Sequence, residues 1–394
     1  MLLALCSAFM LSQSYRTAAA MLAPELQAWL GFTPQQLGVF AASFHFAFGA
    51  MQLFMGIGID LHGLRRTVLT VFPLAVAGAF LSALSDSFAW LVLGQVLIGI
   101  GCAPAFLVCT VFIARSFPAP RFAAVSGMAL AVGGLGMLLT GTPLAWLVQA
   151  HSIQAGFAML GALSVLAWGI VFALVREPAA PPASGPKPTP GQALRQFGQL
   201  LRLPQTLGIM ALGGVVYASF MTLRGLWLGP LLVERFHFSL IESGHMALAV
   251  SLVALIGPPL VGRFDPGPRT RRRWLVGLTL LKAALFVLLA LTHSVWWGGA
   301  LILLISLQHG YAVLQYADVR GAYPDTQTGR ALAAFTMAMF LGIALMQWLT
   351  GMVAQAAGAW GAAPYTSVML AVAAMLVLGT AAFAWLPGPG QQQR

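Results

Sequence analysis

Two arginines, Arg16 and Arg224, stand inside stretches that are otherwise apolar. A charged side chain at the centre of a membrane-depth helix costs at least ~2.5–3.5 kcal/mol, so each is a candidate functional group. The guanidinium is a planar fork that pairs bidentately with carboxylate, phosphate and related oxyanions. Each has polar or aromatic company: Ser14 and Tyr15 beside the first, Tyr217 and Thr222 beside the second. Converging, the two would make an oxyanion site; the competing reading has both side chains snorkelling to a polar interface.

Other groups could line the same site. His45 and His309 lie deep in apolar runs, where an imidazole can hydrogen-bond a ligand or carry a proton near neutral pH, or sit as a satisfied interior residue. Gln52 and Tyr311 are further polar residues at that depth, as are Gln13, Gln308, Gln315 and Gln347. Lys282 stands eight residues into its run and reads as a snorkelling residue. Embedded carboxylates are scarce, Glu25 and Asp318 being the two at span ends, which favours exchange, facilitation or histidine-based proton coupling.

No paired carboxylates, nucleophile motif or phosphate loop marks an enzyme, and no metal-ligand spacing or cofactor motif stands out. Met51, Met55 and His245-Met246 carry a minor copper(I) reading against ordinary gap-filling by methionine. Cys6, Cys102 and Cys109 all fall in apolar runs and read as small buried hydrophobes.

The elements that position these residues follow from composition. The 394 residues are 59% hydrophobic and 7% charged, against roughly 45–50% apolar and about 25% charged in a soluble domain. So apolar a chain needs hydrocarbon as its solvent. Backbone groups in hydrocarbon must be paired internally, which leaves helices or closed barrels. The apolar runs are continuous and ~20 residues long where barrel strands would alternate over ~10, so they are helices.

Twelve runs are legible: 2–22, 36–59, 67–86, 89–114, 122–148 and 155–175, then 205–231, 239–262, 274–293, 297–316, 330–353 and 364–386. This gives an N-terminal six-helix unit over 1–175, a Pro-rich linker over 176–203 holding one short amphipathic helix, and a second six-helix unit over 204–394. The first run lacks a basic leader and a cleavage site and reads as a retained helix.

The net charge of +11 would suit nucleic acid only as one solvated patch, whereas the basic residues recur in short loops. Sixteen of the 20 Lys and Arg collect on one side of the twelve-span arrangement and only Arg235 on the other. By the positive-inside tendency, both termini and the linker are cytoplasmic.

The halves echo one another. Phe32-Thr33, Gly38 and Asp60 correspond to Phe238-Ser239, Gly244 and Asp265, and Arg121, Ala124 and Met128 to Arg330, Ala333 and Met337. Such internal repeats are a mark of transporters.

Between the second and third runs the chain reads Gly56-Ile-Gly-Ile-Asp60-Leu-His-Gly63-Leu-Arg65-Arg66. This resembles the signature loop of the major facilitator superfamily, with Leu61 and Leu64 where that loop usually carries basic residues. The stretches SQSYRTAAAMLAPEL and LRGLWLGPLL look like a bacterial branch of the same superfamily. The resemblance implies an all-α membrane protein of twelve transmembrane helices in two pseudo-symmetric bundles. It implies a monomer in the bacterial inner membrane, without cofactor, moving a small solute by alternating access. The loop Gly56, Asp60, Gly63, Arg65 and Arg66 would be its conformational switch, with Gly56 allowing close helix packing. The arginine pair is similar to that of the superfamily's organic-phosphate exchangers, which implies a carboxylate- or phosphate-bearing solute bound by Arg16, Arg224, Tyr15, His45, Gln52, His309 and Tyr311. Drug or metabolite efflux is the rival, predicting an acid-bearing apolar cavity.

Overall fold

In a computed structural model describing residues 1–177 and 190–386, the chain is a bundle of long helices. The first six are α1 (Leu2–Leu30), α2 (Pro34–His62), α3 (Leu64–Ala83), α4 (Phe88–Ser116), α5 (Val125–Ala150) and α6 (Ile153–Leu174). A short α7 (Pro190–Leu201) precedes α8 (Gln205–Arg235), α9 (Leu240–Gly262), α10 (Pro268–Leu291), α11 (Val295–Ala322), α12 (Asp325–Ala359) and α13 (Pro364–Trp385). Among the described residues, eleven of these are long and apolar enough to cross a membrane. The twelfth span is α1, whose centre is diluted by the polar run Ser12–Thr17 yet is buried almost throughout.

Helix ends depart from the apolar runs where local chemistry extends them. α1 continues through Pro24 and Glu25 to Leu30, eight residues past the expected end, and stops at Gly31 with φ 64°. In the stretch 176–203, residues 178–189 lie outside the described set. α7 follows them and buries Phe197 and Leu200 against the second half, leaving Arg195 exposed. This division of faces is what its amphipathic sequence dictates.

The repeat is legible in three dimensions. Thr33 and Ser239 each form a reciprocal capping box, with Gln36 and Glu242, at the starts of α2 and α9. Gly63 (φ 85°) and Gly267 (φ 79°) turn the chain into α3 and α10, a backbone that L side chains rarely adopt. Arg65 then donates to Phe172 O and Val175 O at the end of α6 and lies over the Phe172 ring. Arg272 repeats this at the end of α13, donating to Phe383 O and Leu386 O over the Phe383 ring.

The loop after α2 is anchored by a residue outside it. Glu177 accepts from the backbone N–H groups of Leu64 (2.9 Å) and Arg65 (2.8 Å), placing a carboxylate at the N-terminus of α3. Arg115 lies 3.8 Å from the same carboxylate. Arg66 is exposed, and the side chain of Asp60 lies outside the described residues. Gly56 does not pack as expected: a Cβ there would meet nothing within 4 Å.

The halves meet along three seams. Where α2 meets α12, a Cβ on Gly38 would lie 3.0 Å from the Gly351 Cα. Where α5 meets α9, one on Gly141 would lie 3.0 Å from Gly244 O. Where α1 meets α8, one on Gly225 would lie 2.8 Å from Arg16 O. Small residues let backbones approach this closely, and in lipid such packing replaces the missing hydrophobic drive.

Candidate functional site: a buried arginine at the seam of the halves

Arg16 is 5% exposed and does not snorkel. Its guanidinium is sandwiched by two rings, Phe48 of α2 and Phe340 of α12, each with its centroid 4.6 Å from Cζ. One ring belongs to each half, so the charge sits on the seam. Nη1 donates to Gln13 Oε1 (2.5 Å) and Nη2 to Ser12 Oγ (3.3 Å), both one turn back on α1. Nε finds no partner among the described residues.

The surroundings hold further unspent hydrogen-bonding capacity. His45 bonds Ala41 O through Nδ1 (3.1 Å), which as a partner to a carbonyl must carry the proton and leaves Nε2 an acceptor without a donor. Its ring stacks on Phe340 at 6.4 Å. Gln347, fully buried on α12 and facing His45, makes no well-formed hydrogen bond with either end of its amide among the described residues, and its Nε2 lies 3.7 Å from where a Gly225 Cβ would stand. Buried polar groups are nearly always paired, so such a concentration points to a ligand or ordered water.

An aromatic path leads from this cluster into the second half. Phe340 meets Tyr217 edge-on at 5.9 Å, Tyr217 contacts the His309 ring at 5.3 Å, and His309 stacks on Phe220 at 4.3 Å. His309 Nδ1 is without a partner among the described residues. The structure therefore brings Arg16 and His45 against one ring, Phe340, and places His309 two ring contacts further on.

Arg224 is placed differently. It is completely buried in a π-helical turn of α8, Leu223–Trp227. It faces away from Arg16: Nε donates to Ser251 Oγ of α9 (3.1 Å), and Nη2 to Met137 O of α5 (3.1 Å) and to Thr140 (3.4–3.5 Å). The two arginines obey the repeat, each reaching the next helix of its own half and a helix of the other, but toward opposite seams. They do not converge, and their partners are disjoint.

The remaining expected residues serve as ties between helices. Tyr15 bonds Ser164 of α6 through its hydroxyl (2.9 Å), Gln52 donates to Ala103 O of α4 (3.3 Å), and Tyr311 bonds Thr279 of α10 (2.9 Å). Lys282 does not snorkel: it is fully buried and donates to Val216 O of α8 at 3.2 Å. Sequence reasoning gave no part to Phe48, Phe340 and Phe220, because apolar aromatics in an apolar run carry no distinguishing signal.

Two six-helix repeats closed on a buried polar seam define a polytopic solute carrier. Residues 4–317 match the Major Facilitator Superfamily, and the chain belongs to that family. Its backbone is similar to a bacterial homologue of the human lysosomal transporter Spinster in an inward-facing, occupied conformation (17% identity, TM-score 0.75, covering 97% of this chain and 95% of that one). It is similar also to a D-xylose–proton symporter (14%, TM-score 0.76, 99% and 98%) and to the nucleoside transporter NupG (16%, TM-score 0.71, 97% and 98%). At such identities the likeness is one of fold. Among curated proteins it resembles the probable sulfoacetate transporter SauU of Cupriavidus necator, 24% identical over 169 residues. That match spans 43% of this chain and 39% of the relative.

Proposed function

We propose that this carrier moves a small organic anion bearing a carboxylate, sulfonate or phosphate, with Arg16 as the group that holds its charge. The observation carrying this reading is the Arg16 guanidinium, enclosed by Phe48 and Phe340 from opposite halves with its unpartnered Nε and the open amide of Gln347 beside it. An anion there would draw Nη1 and Nη2 from Gln13 and Ser12, bonds within one helix and easily exchanged, and would gain charge-assisted hydrogen bonds in a site of low dielectric. His45 Nε2 is placed to accept from a hydroxyl of the same solute. The partial resemblance to a sulfoacetate carrier supports the anion class.

The halves rock about this seam as a monomer, opening the site to one face at a time. Both termini lie in the cytoplasm of a bacterial cell, on the face that gathers the loop arginines. Efflux of cationic drugs fits less well, since the contacts of Arg16 among the described residues are a hydroxyl, an amide and two aromatic rings, with no carboxylate. The test is uptake of sulfoacetate, succinate and glycerol phosphate into proteoliposomes. Arg16→Gln, inserted normally, is expected to lose at least about tenfold in rate, the equivalent of one charge-assisted hydrogen bond. Transport of these anions at the parental rate would remove the proposal.

A further inference from the structure

α5 is broken where it faces Arg224. Its first segment ends at Gly134, one turn spans Gly136–Leu139, and the helix resumes at Thr142 with Pro143 in its first turn. Gly141 N bonds Leu138 O instead of Met137 O, so the carbonyls of Met137 and Thr140 are left without the usual i+4 partner. Nη2 of Arg224, from the other half, takes both. A buried carbonyl without a donor costs about 1–3 kcal/mol, and here one cation supplies a donor to Thr140 O and shares Met137 O with the Thr140 hydroxyl. Thr140 also links the two arginines: its Oγ1 lies 2.5 Å from Thr17 Oγ1, and Thr17 follows Arg16 on α1.

We propose that Arg224 is the latch closing the α5–α9 seam and that occupancy of Arg16 reaches it through the hydroxyls of Thr17 and Thr140. The inference rests on the anion reading above. The hydroxyl chain has two senses. In one, Thr17 donates to Thr140 and Thr140 to Met137 O, so that the two lone pairs of that carbonyl are shared between Thr140 and Arg224. In the other, Thr140 donates to Thr17 and Thr17 to Gln13 O, leaving Met137 O to the arginine. Gln13 is also the residue whose side chain holds Arg16. An anion that displaces it moves the turn of α1 that sets the direction of the chain. Ser14 ties that turn to the broken segment, donating to Gly136 O at 2.7 Å.

The reporter is Ala145→Cys, on the stretch of α5 packed against Gly244 of α9, in full-length protein with its three native cysteines replaced by alanine. Maleimide labelling is followed in nanodiscs, where both faces meet solvent. Arg224→Met is expected to speed labelling by about tenfold, as one charged hydrogen-bond set is lost. Arg224→Lys, which keeps the charge without the fork, falls between and serves if the methionine variant does not fold. Sulfoacetate is expected to speed labelling of the parent. Thr140→Val abolishes that response while keeping the sulfoacetate-induced rise in melting temperature. Labelling of both Arg224 variants at the parental rate overturns the latch, and an undiminished sulfoacetate response in Thr140→Val overturns the relay. If sulfoacetate, succinate and phosphate all fail to shift the parental melting temperature, the anion reading falls, and the relay with it. A parental shift alongside either of the first two results leaves the anion reading standing.

Discussion

Gly225 of α8 crosses the backbone of Arg16 of α1 so closely that a Cβ on the glycine would lie 2.8 Å from the arginine's carbonyl oxygen. The contact joins the halves at the level of both buried arginines, since Arg224 immediately precedes the glycine. One turn further on, a Cβ on Gly229 would collide with Ala20 O. The first and seventh spans thus share a spine of backbone contacts from which one guanidinium is directed to each seam.

The neighbour at Gly225 is backbone, which cannot rotate aside, so Gly225→Ala must part α1 from α8. Overpacking of this kind costs typically about 1–3 kcal/mol. The variant is expected to melt below the parent in detergent and to transport more slowly. Gly169→Ala, where a Cβ would meet nothing within 4 Å, is the control and melts with the parent. Equal melting temperatures for the two variants would show that the spine bears no load.

Much of this design is legible in the sequence, and what is not has a physical reason. Twelve spans were legible because hydrocarbon imposes length and apolarity on each, and the repeat because Thr33 and Ser239 cap the same helix start in each half. The directions of Arg16 and Arg224 were not legible. In a helix apolar on every side no amphipathic stripe tells which face meets a partner, and a π-helical turn shifts the face that Arg224 presents. The burial of Lys282 is hidden for the same reason: its distance from the helix start suits snorkelling, but its face meets Val216 of α8. The role of Glu177 is not legible within the linker sequence, because it depends on the end of α6 returning to the start of α3.

Phe340 closes the Arg16 compartment from the second half, 4.6 Å from the guanidinium carbon and 4.3 Å from the Phe48 ring. A desolvated cation–π contact is worth roughly 2 kcal/mol, with Leu unable to supply it. Phe340→Leu keeps an apolar side chain on the seam and is expected to raise the KM for the transported anion several-fold, with a smaller effect on maximal rate. Transport kinetics in proteoliposomes separate the two, and an unchanged KM would place the ring outside the site.

Asp265 gives the stability of the second half an acid limb. Hydrogen bonds from Arg271 Nε (3.0 Å) and Nη2 (2.6 Å), with one from Gly267 N–H (3.1 Å), hold its carboxyl below the usual carboxylate range. A carboxylate whose folded pKa is depressed contributes stability above its unfolded value, ~3.9, and loses it as pH falls through the folded value. The parent should therefore exceed Asp265→Asn in melting temperature by a constant margin above about pH 5, with the margin closing toward pH 3. Melting curves across that range check it, and a margin that persists at pH 3 would assign the effect to packing.

Lys282 is the reverse case, an amine whose burial the fold tolerates without a matching anion among the described residues. Among the described residues its Nζ has a single carbonyl acceptor, Val216 O, and it lies 5.7 Å from the Tyr311 ring, whose hydroxyl is committed to Thr279. Desolvating an ammonium costs several kcal/mol, and one carbonyl with one aromatic face returns only part of it. Methionine fills the same length of apolar space without that cost. Lys282→Met is accordingly expected to melt at or above the parental temperature, whereas Val216 O keeps its donor from Ser219 Oγ at 2.9 Å and is not orphaned. Thermal unfolding in detergent decides it: a fall of more than about 5 °C, a kcal/mol or more in a chain of this size, would mean that the lysine stabilises the junction of α8, α10 and α11.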